Sequence, residues 1–330
     1  AKGPYAALRK QVIGQSAGAL LEAALPGLLR ALPQPKKMRW GRQAEAFIRP
    51  VHWLVALLGD EQLRFEFAGV TAGRQTEGHR FFGSTLLIQS ADIESYTAGL
   101  QAQGVVVEPT VRKRQIVEGA RALATEVGGT LVEDDELADV VSWLVEAASP
   151  LLGTFEPRFL ELPDAVTITT LKSHQKLFTI RGEDGKLVNR FVAVANTLTE
   201  DSREEVAQGN ARVVSARLSD ALFFYEQDLK QRLEDYTPML SRQVYLKGLG
   251  SMSDKVGRIV ALAQGLAETL CPEQGETTAR AAQLCKADLA TRLVIEFTSL
   301  QGQIGEQYAI KTGESAAVGQ AIREHHLPRF

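Results

Sequence analysis

Leu and Ala recur at helical spacing through residues 6–32, at Leu8, Val12, Leu20, Leu21, Leu25, Leu28 and Leu29, and Pro33 and Pro35 stop the run. That pattern predicts a helix. Residues 47–58 are then almost continuously apolar, from Phe47 and Ile48 through Leu57 and Leu58, which suits a buried strand, although periodicity alone does not distinguish it from a helix. Gly59 and Asp60 turn the chain. Leu63, Phe65 and Phe67 alternate with Arg64 and Glu66, the two-residue period of a strand with one buried face. Helical spacing returns at 93–100 and 111–127, and residues 166–170 (VTITT) and 187–195 (LVNRFVAVA) read as strands around a Gly-Glu-Asp-Gly turn at 182–185.

The pattern changes near residue 200. Val214, Leu218, Leu222, Tyr225, Leu229, Leu233 and Tyr236 lie on one face of a long helix. Val256, Ile259, Val260, Ala263, Leu266 and Leu270 form a second such face, ended by Cys271-Pro272, and residues 278–300 and 314–327 read as two more helices. No strand signal follows. The fold class expected is α+β: a mixed α/β domain over 1–205, then an all-helical domain over 206–330.

Composition adds little beyond a globular class: 45% hydrophobic, 23% charged, net charge -3. Two cysteines, Cys271 and Cys285, make neither a disulfide framework nor a zinc motif and read as reduced, buried thiols of a cytosolic protein. No apolar run is long enough for a membrane span, and no signal-peptide pattern opens the chain. The first residue is Ala1 and the chain ends on Pro328-Arg329-Phe330, which reads as a piece of something longer.

Charge distribution changes the picture more. Residues 36–53, KKMRWGRQAEAFIRPVHW, hold Lys36, Lys37, Arg39, Arg42 and Arg49 together with two Trp and His52, against one acid, Glu45. Arg74 to Phe82 (RQTEGHRFF) has the same character, with His79 and Arg80. So does Leu171 to Phe178 (LKSHQKLF), with Lys172, His174, Gln175 and Lys176. In an extended chain Lys172, His174 and Lys176 share one side. Any one of these segments alone reads as a solvated face or a polar hairpin tip. Three of the five histidines fall in them, however. Cations that neutralise phosphates, next to rings that stack on unpaired bases, are the chemistry of RNA binding.

The segments also carry a resemblance. In order along the chain, KKMRWG, F-x-RPVHW, T-x-GHRF, HQKLF, GN-A-RVVSARLSDALFFYEQDLK, LGSMSDKVGRI, KADLATRLVIEFTSLQGQIGEQYA and EHHLPRF resemble the β subunit of bacterial glycyl-tRNA synthetase, from about Lys36 to the end. Against that family the chain is short and resembles its central region plus an HD-like helical domain, without the anticodon-binding domain. The resemblance implies an α2β2 assembly. ATP and Mg serve glycine activation at the α subunit, and this chain itself needs no cofactor. Its partners would be tRNA(Gly) and the α subunit, not a membrane. No catalytic residue is expected in the chain. The thirteen basic-segment residues named above become candidate tRNA contacts, so that neutralising Lys172 and Lys176 together is expected to weaken tRNA binding.

The helical region of the family resembles the HD phosphohydrolases, whose site needs His-Asp and further His and Asp ligands around one or two metals. Here the matching segment reads Lys286-Ala287-Asp288, with Ala287 at the ligand position, and no His occurs between His174 and His325. Asp288 is therefore expected to be the remnant of a degenerate site, a buried acid paired with a nearby Arg such as Arg292 at i+4, and no metal is expected. The alternatives to tRNA binding are an HD-type metal-dependent phosphohydrolase and a pure subunit-interaction module. Gly248 to Lys255 (GLGSMSDK) lacks the GxxxxGK[ST] form of a phosphate loop and reads as a helix start capped by Ser253.

Overall fold

Ser16 accepts a hydrogen bond from the Ala19 amide and starts helix α1, Ala17–Ala31, in a computed structural model that describes residues 6, 8–11, 13–196 and 198–328. Residues 8–11 and 13–16 are not helical, so the first helix is shorter than the apolar spacing predicts; Val12, Arg329 and Phe330 lie outside the described residues. The chain's contacts divide it into two units. The first holds residues 1–112 with 143–147, and the second 113–142 with 148–330. The expected boundary near residue 205 falls inside the second.

In the first unit α1 is followed by three short antiparallel pairs. They are β1 (Leu57–Leu58) with β2 (Glu61–Gln62), β3 (Glu66–Phe67) with β4 (Val70–Thr71), and β5 (Gln75–Glu77) with β6 (Thr85–Leu87), after which comes helix α2 (Ile93–Ala102). The alternation read at 63–67 has the predicted consequence: Leu63 and Phe67 are buried while Arg64 and Glu66 face solvent. Residues 47–58 are not a continuous buried strand. Phe47 and Val55 make isolated bridges to Met38 and Gly73, and only Leu57–Leu58 forms a ladder. Among its described residues this unit has no broad sheet to receive a long apolar strand.

Helix α3 (Pro109–Glu126) leads into the second unit, which continues with β7 (Gly129–Leu131), α4 (Asp135–Ser142), β8 (Ser149–Thr154), α5 (Asp164–Gln175), β9 (Phe178–Gly182) and β10 (Leu187–Ala195). The four strands form one antiparallel sheet in the order β7-β9-β10-β8. Phe191 of β10 lies opposite Gly153 of β8, and a Cβ on Gly153 would fall 2.2 Å from its ring, so the register needs glycine there. Residues 166–170 are helix, not strand. Their β-branched residues favour a strand, but Val166, Thr167, Thr170 and Leu171 are buried at helical spacing, and the chain ends the helix with Lys176 in the left-handed region, φ 56°. Tertiary burial overrides propensity here.

Helix α6 (Arg203–Asp228) packs on β8 and α5. It stops short of the expected 236: Leu233 and Tyr236 reach the core from a 3-10 helix, Leu233–Arg242. A small hairpin, β11 (Val244–Leu246) with β12 (Gly250–Ser251), precedes α7 (Met252–Leu270), so strand pairing does occur after residue 205. The cap of α7 is Ser251 rather than Ser253, with Asp254 completing a capping box. The apolar stretch 278–300 is broken into α8 (Gly275–Leu284), a 3-10 turn at Ala287–Ala290, α9 (Arg292–Glu296) capped by Thr291, and a second 3-10 turn at Thr298–Leu300. Helices α10 (Gln303–Lys311) and α11 (Ala316–Glu324) close the unit. One core runs from Phe159, Leu171 and Phe191 through Leu218 and Leu233 to Leu293, Ile304 and Ile322. Cys285 is buried and Cys271 half-buried, both free thiols. Among the described residues no helix is long and apolar enough to cross a membrane. Sheets and helical bundle together make the α+β class.

Candidate nucleic-acid interface

The basic segment 36–49 is shaped by one short pairing. Met38 and Phe47 exchange backbone hydrogen bonds of 2.8 and 3.1 Å, pinching residues 39–46 into a loop that turns at Gly41, φ 56°. Phe47 anchors the loop by an edge-to-face contact with buried Phe67, ring centroids 5.5 Å apart. Arg30 of α1 bonds the carboxylate of Glu45 at 3.2 Å and holds that carboxyl below its usual range. The one acid of the segment is thereby engaged from outside it. Lys36, Lys37, Arg39, Arg42 and Arg49 are exposed, and among the described residues none of them forms an ion pair. Lys37 only reaches the Arg30 carbonyl, at 3.4 Å.

The structure brings the second basic segment beside the end of the first. Val55 bridges Gly73 in parallel, the Gly73 amide donates to the Leu54 carbonyl at 2.8 Å, and Trp53 Nε1 donates to Thr76 Oγ1 at 3.1 Å. His52 and Trp53, both exposed, therefore lie along β5. Two of the expected contacts in this segment are committed elsewhere. The Arg74 guanidinium clamps the carbonyls of Asp60, in the β1–β2 turn, and of Ile88 and Gln89, just after β6. His79 is 1% exposed and stacks on Phe82 at 3.9 Å, so it is part of the loop's interior and not a surface contact. Arg80 is exposed and makes no ion pair among the described residues.

The third segment belongs to the second unit, and it is helical, so Lys172, His174 and Lys176 do not line one side as an extended chain would have it. Lys172 is paired with Asp134 at 2.8 Å and Glu136 at 3.0 Å. Burial pulls its pKa down, and the two carboxylates outweigh that, so the net shift is upward. Two acids of the 133–139 run thus engage this lysine, while Lys113 pairs with Asp135 and Asp139 and Arg121 with Glu133. Lys176 donates to the Ser173 carbonyl at 3.0 Å, and His174 sets its ring edge against Phe297 at 5.6 Å. Gln175, half-buried, ends α5.

Asp288 is fully buried, and its partner is not Arg292. Its Oδ2 accepts the Gly302 amide at 2.5 Å, ahead of helix α10. Burial pushes its carboxyl up to about 6, against the opposing effects of the Gly302 amide, Lys286 and the Gly305 and Leu289 amides. Among the described residues no group of three or more His, Cys, Asp or Glu could hold a metal ion. The Arg292 amide instead donates at 3.0 Å to Asp228, which is 1% exposed and also accepts from the Leu293 amide at 3.0 Å and Tyr308 Oη at 3.0 Å. Burial first, and then the Asp228 charge, pushes the Tyr236 hydroxyl up to about 12 and the Tyr308 hydroxyl higher still. Sequence reasoning missed Asp228. Its signal was an acid one position before Leu229 on the apolar face of α6, a place where only a satisfied carboxylate is tolerated.

The family model for the glycyl-tRNA synthetase beta subunit matches residues 1–330. The glycine–tRNA ligase beta subunits of Desulfatibacillum aliphaticivorans and Desulforamulus reducens are each 43% identical over 100% and 99% of this chain, and 48% and 47% of their own length. That of Bacillus subtilis is 39% identical over 98% of the chain and 48% of its own length.

The chain belongs to the glycyl-tRNA synthetase beta subunit family.

It spans about half the length of the curated relatives it matches. Within this beta-subunit segment, charge is unequally divided. The first unit carries 13 Lys and Arg against 10 Asp and Glu, net +3, and the second 24 against 30, net -6. An overall charge of -3 therefore conceals a cationic unit, the one whose basic loop is left without its acid.

Proposed function

We propose that this chain is the tRNA-binding and scaffold part of the beta subunit of a heterotetrameric glycine–tRNA ligase in the cytoplasm. It holds tRNA(Gly) while the alpha subunit, using ATP and Mg, carries out glycylation. The single observation that carries the reading is the capture of Glu45 by Arg30, which leaves Arg39, Arg42 and Arg49 exposed without a neighbouring acid in the cationic unit. Phosphate contacts from such side chains are sequence-independent and release counterions, so they set affinity and its salt dependence rather than base choice. Family membership favours neither the phosphohydrolase nor the pure docking alternative.

The test is tRNA binding by the full chain across a salt series, with Arg39→Gln, Arg42→Gln and Arg49→Gln combined. Losing three phosphate contacts lowers the slope of log affinity against log salt by about 2–3 and weakens binding at every salt concentration. An unchanged slope and affinity refute the assignment of this loop.

A further inference from the structure

The loop Gly78-His79-Arg80-Phe81-Phe82-Gly83 is tied down at both ends by hydrogen bonds, and it presents two phenylalanines outward. The Gly83 amide donates to the His79 carbonyl at 2.7 Å and the Gly78 amide to the Ser84 carbonyl at 3.1 Å. Gln103 ties both ends down: its carbonyl accepts the His79 amide at 2.8 Å, and its side-chain oxygen accepts the Ser84 amide at 2.8 Å. A Cβ at Gly83 would lie 2.3 Å from His79 N, and one at Gly78 would lie 2.6 Å from the Gln103 Cβ, so both ends need glycine. Inside this frame the His79 ring lies parallel to Phe82, interplanar angle 6°. Phe81 is nonetheless 72% exposed and Phe82 52%.

Two adjacent exposed aromatic rings form an apolar patch of the kind that marks an interaction surface. Three features beside it indicate what covers Phe81. Arg80 is exposed and without an ion pair among the described residues. Trp53, 47% exposed, is bonded to Thr76 only two residues before the loop. The unit is net cationic. An exposed ring next in sequence to an exposed cation, in a net cationic unit, makes a stacking surface for unpaired nucleotides, with phosphate on the arginine. The geometry points to the 78–83 loop as a preformed platform on which Phe81 stacks an unpaired base of tRNA. This rests on the tRNA-binding reading above and adds to it the kind of RNA recognised, single-stranded rather than duplex.

The experiment compares the full chain with Phe81→Ala and Phe81→Tyr, using fluorescence anisotropy with a labelled single-stranded RNA and with a blunt RNA duplex of the same length. Phe82 is left intact because it packs on His79. Removing one stacked base weakens single-strand binding by about 5- to 150-fold, leaves duplex binding and the salt slope unchanged, and is rescued by Tyr. Unchanged single-strand binding by Phe81→Ala, with the Arg39, Arg42 and Arg49 variant impaired, overturns the platform and leaves the tRNA reading standing. Equal loss on both RNAs overturns it as well, since stacking cannot act on a closed duplex. Loss of co-purification with a protein subunit, with both RNAs bound normally, overturns it in favour of a protein contact. If neither variant loses affinity for any RNA, the tRNA-binding reading falls with it.

Discussion

Replacing Asp228 with Ala tests what holds the helical region together. The carboxylate is 1% exposed, and the Arg292 amide, the Leu293 amide and Tyr308 Oη each donate to it at 3.0 Å. Alanine strands the two buried donors, the Leu293 amide and Tyr308 Oη, away from water, while the Arg292 amide is only part-buried. An unsatisfied buried donor costs about 1–3 kcal/mol, which gives a loss of about 2–6 kcal/mol, a large part of the about 5–15 kcal/mol that stabilises a whole domain. Tyr308→Phe removes one donor and leaves the carboxylate its two amides, a loss of about 1–2 kcal/mol. In the double variant no Tyr308 hydroxyl remains to be stranded, so the two losses add to less than their sum. Urea unfolding followed by far-ultraviolet circular dichroism measures this. Tryptophan fluorescence does not, because Trp40, Trp53 and Trp143 all belong to the first unit. A loss below about 1 kcal/mol for Asp228→Ala, or strict additivity in the double variant, refutes the reasoning.

Asp288 supplies a pH test. Its carboxyl is raised from 3.8 to about 6, so the folded chain holds this proton more tightly than the unfolded one, and ionisation destabilises the fold. That effect is absent below about pH 4, develops between about pH 4 and 6 and is complete above, amounting to about 3 kcal/mol. Asp288→Asn stays neutral, so the unfolding free energy of the variant minus that of wild type rises by about that amount from acid to neutral pH; a flat difference refutes the burial argument. Lys172→Gln with Lys176→Gln leaves tRNA affinity unchanged and lowers stability by about 0–1 kcal/mol, because Asp134, Glu136 and the Ser173 carbonyl already hold these ammonium groups; reduced tRNA binding by this variant would return both lysines to the interface.

The recurrence of cations and rings at 36–53 and 74–82 picked out two segments that the first unit sets side by side, although Phe81 was not among the candidate contacts. Which members of those segments remain at the surface was not legible. Arg74 and Lys172 carry the same charge in sequence as Arg39 and Arg80, and His79 stands directly beside Arg80, yet each of the three is engaged in the fold, Arg74 by carbonyls, His79 by the Phe82 ring and Lys172 by carboxylates.

Family membership, the α+β class, the helices α2, α3 and α7 and the inward face at 63–67 follow from the order and spacing of residues along the chain. These are local properties, set by a short period of burial or by caps and prolines within a turn. The tertiary structure alone decided that 166–170 is helix, that Asp288 is held by a glycine amide and not by Arg292, and that Asp228 gathers the start of α9. The reason is sequence distance. Lys172 meets Glu136 across 36 residues, and Asp228 meets the Arg292 amide across 64. A pairing of that span is specified by how buried faces fit together, so a side chain's identity states what it can bond, and packing selects which partner it receives.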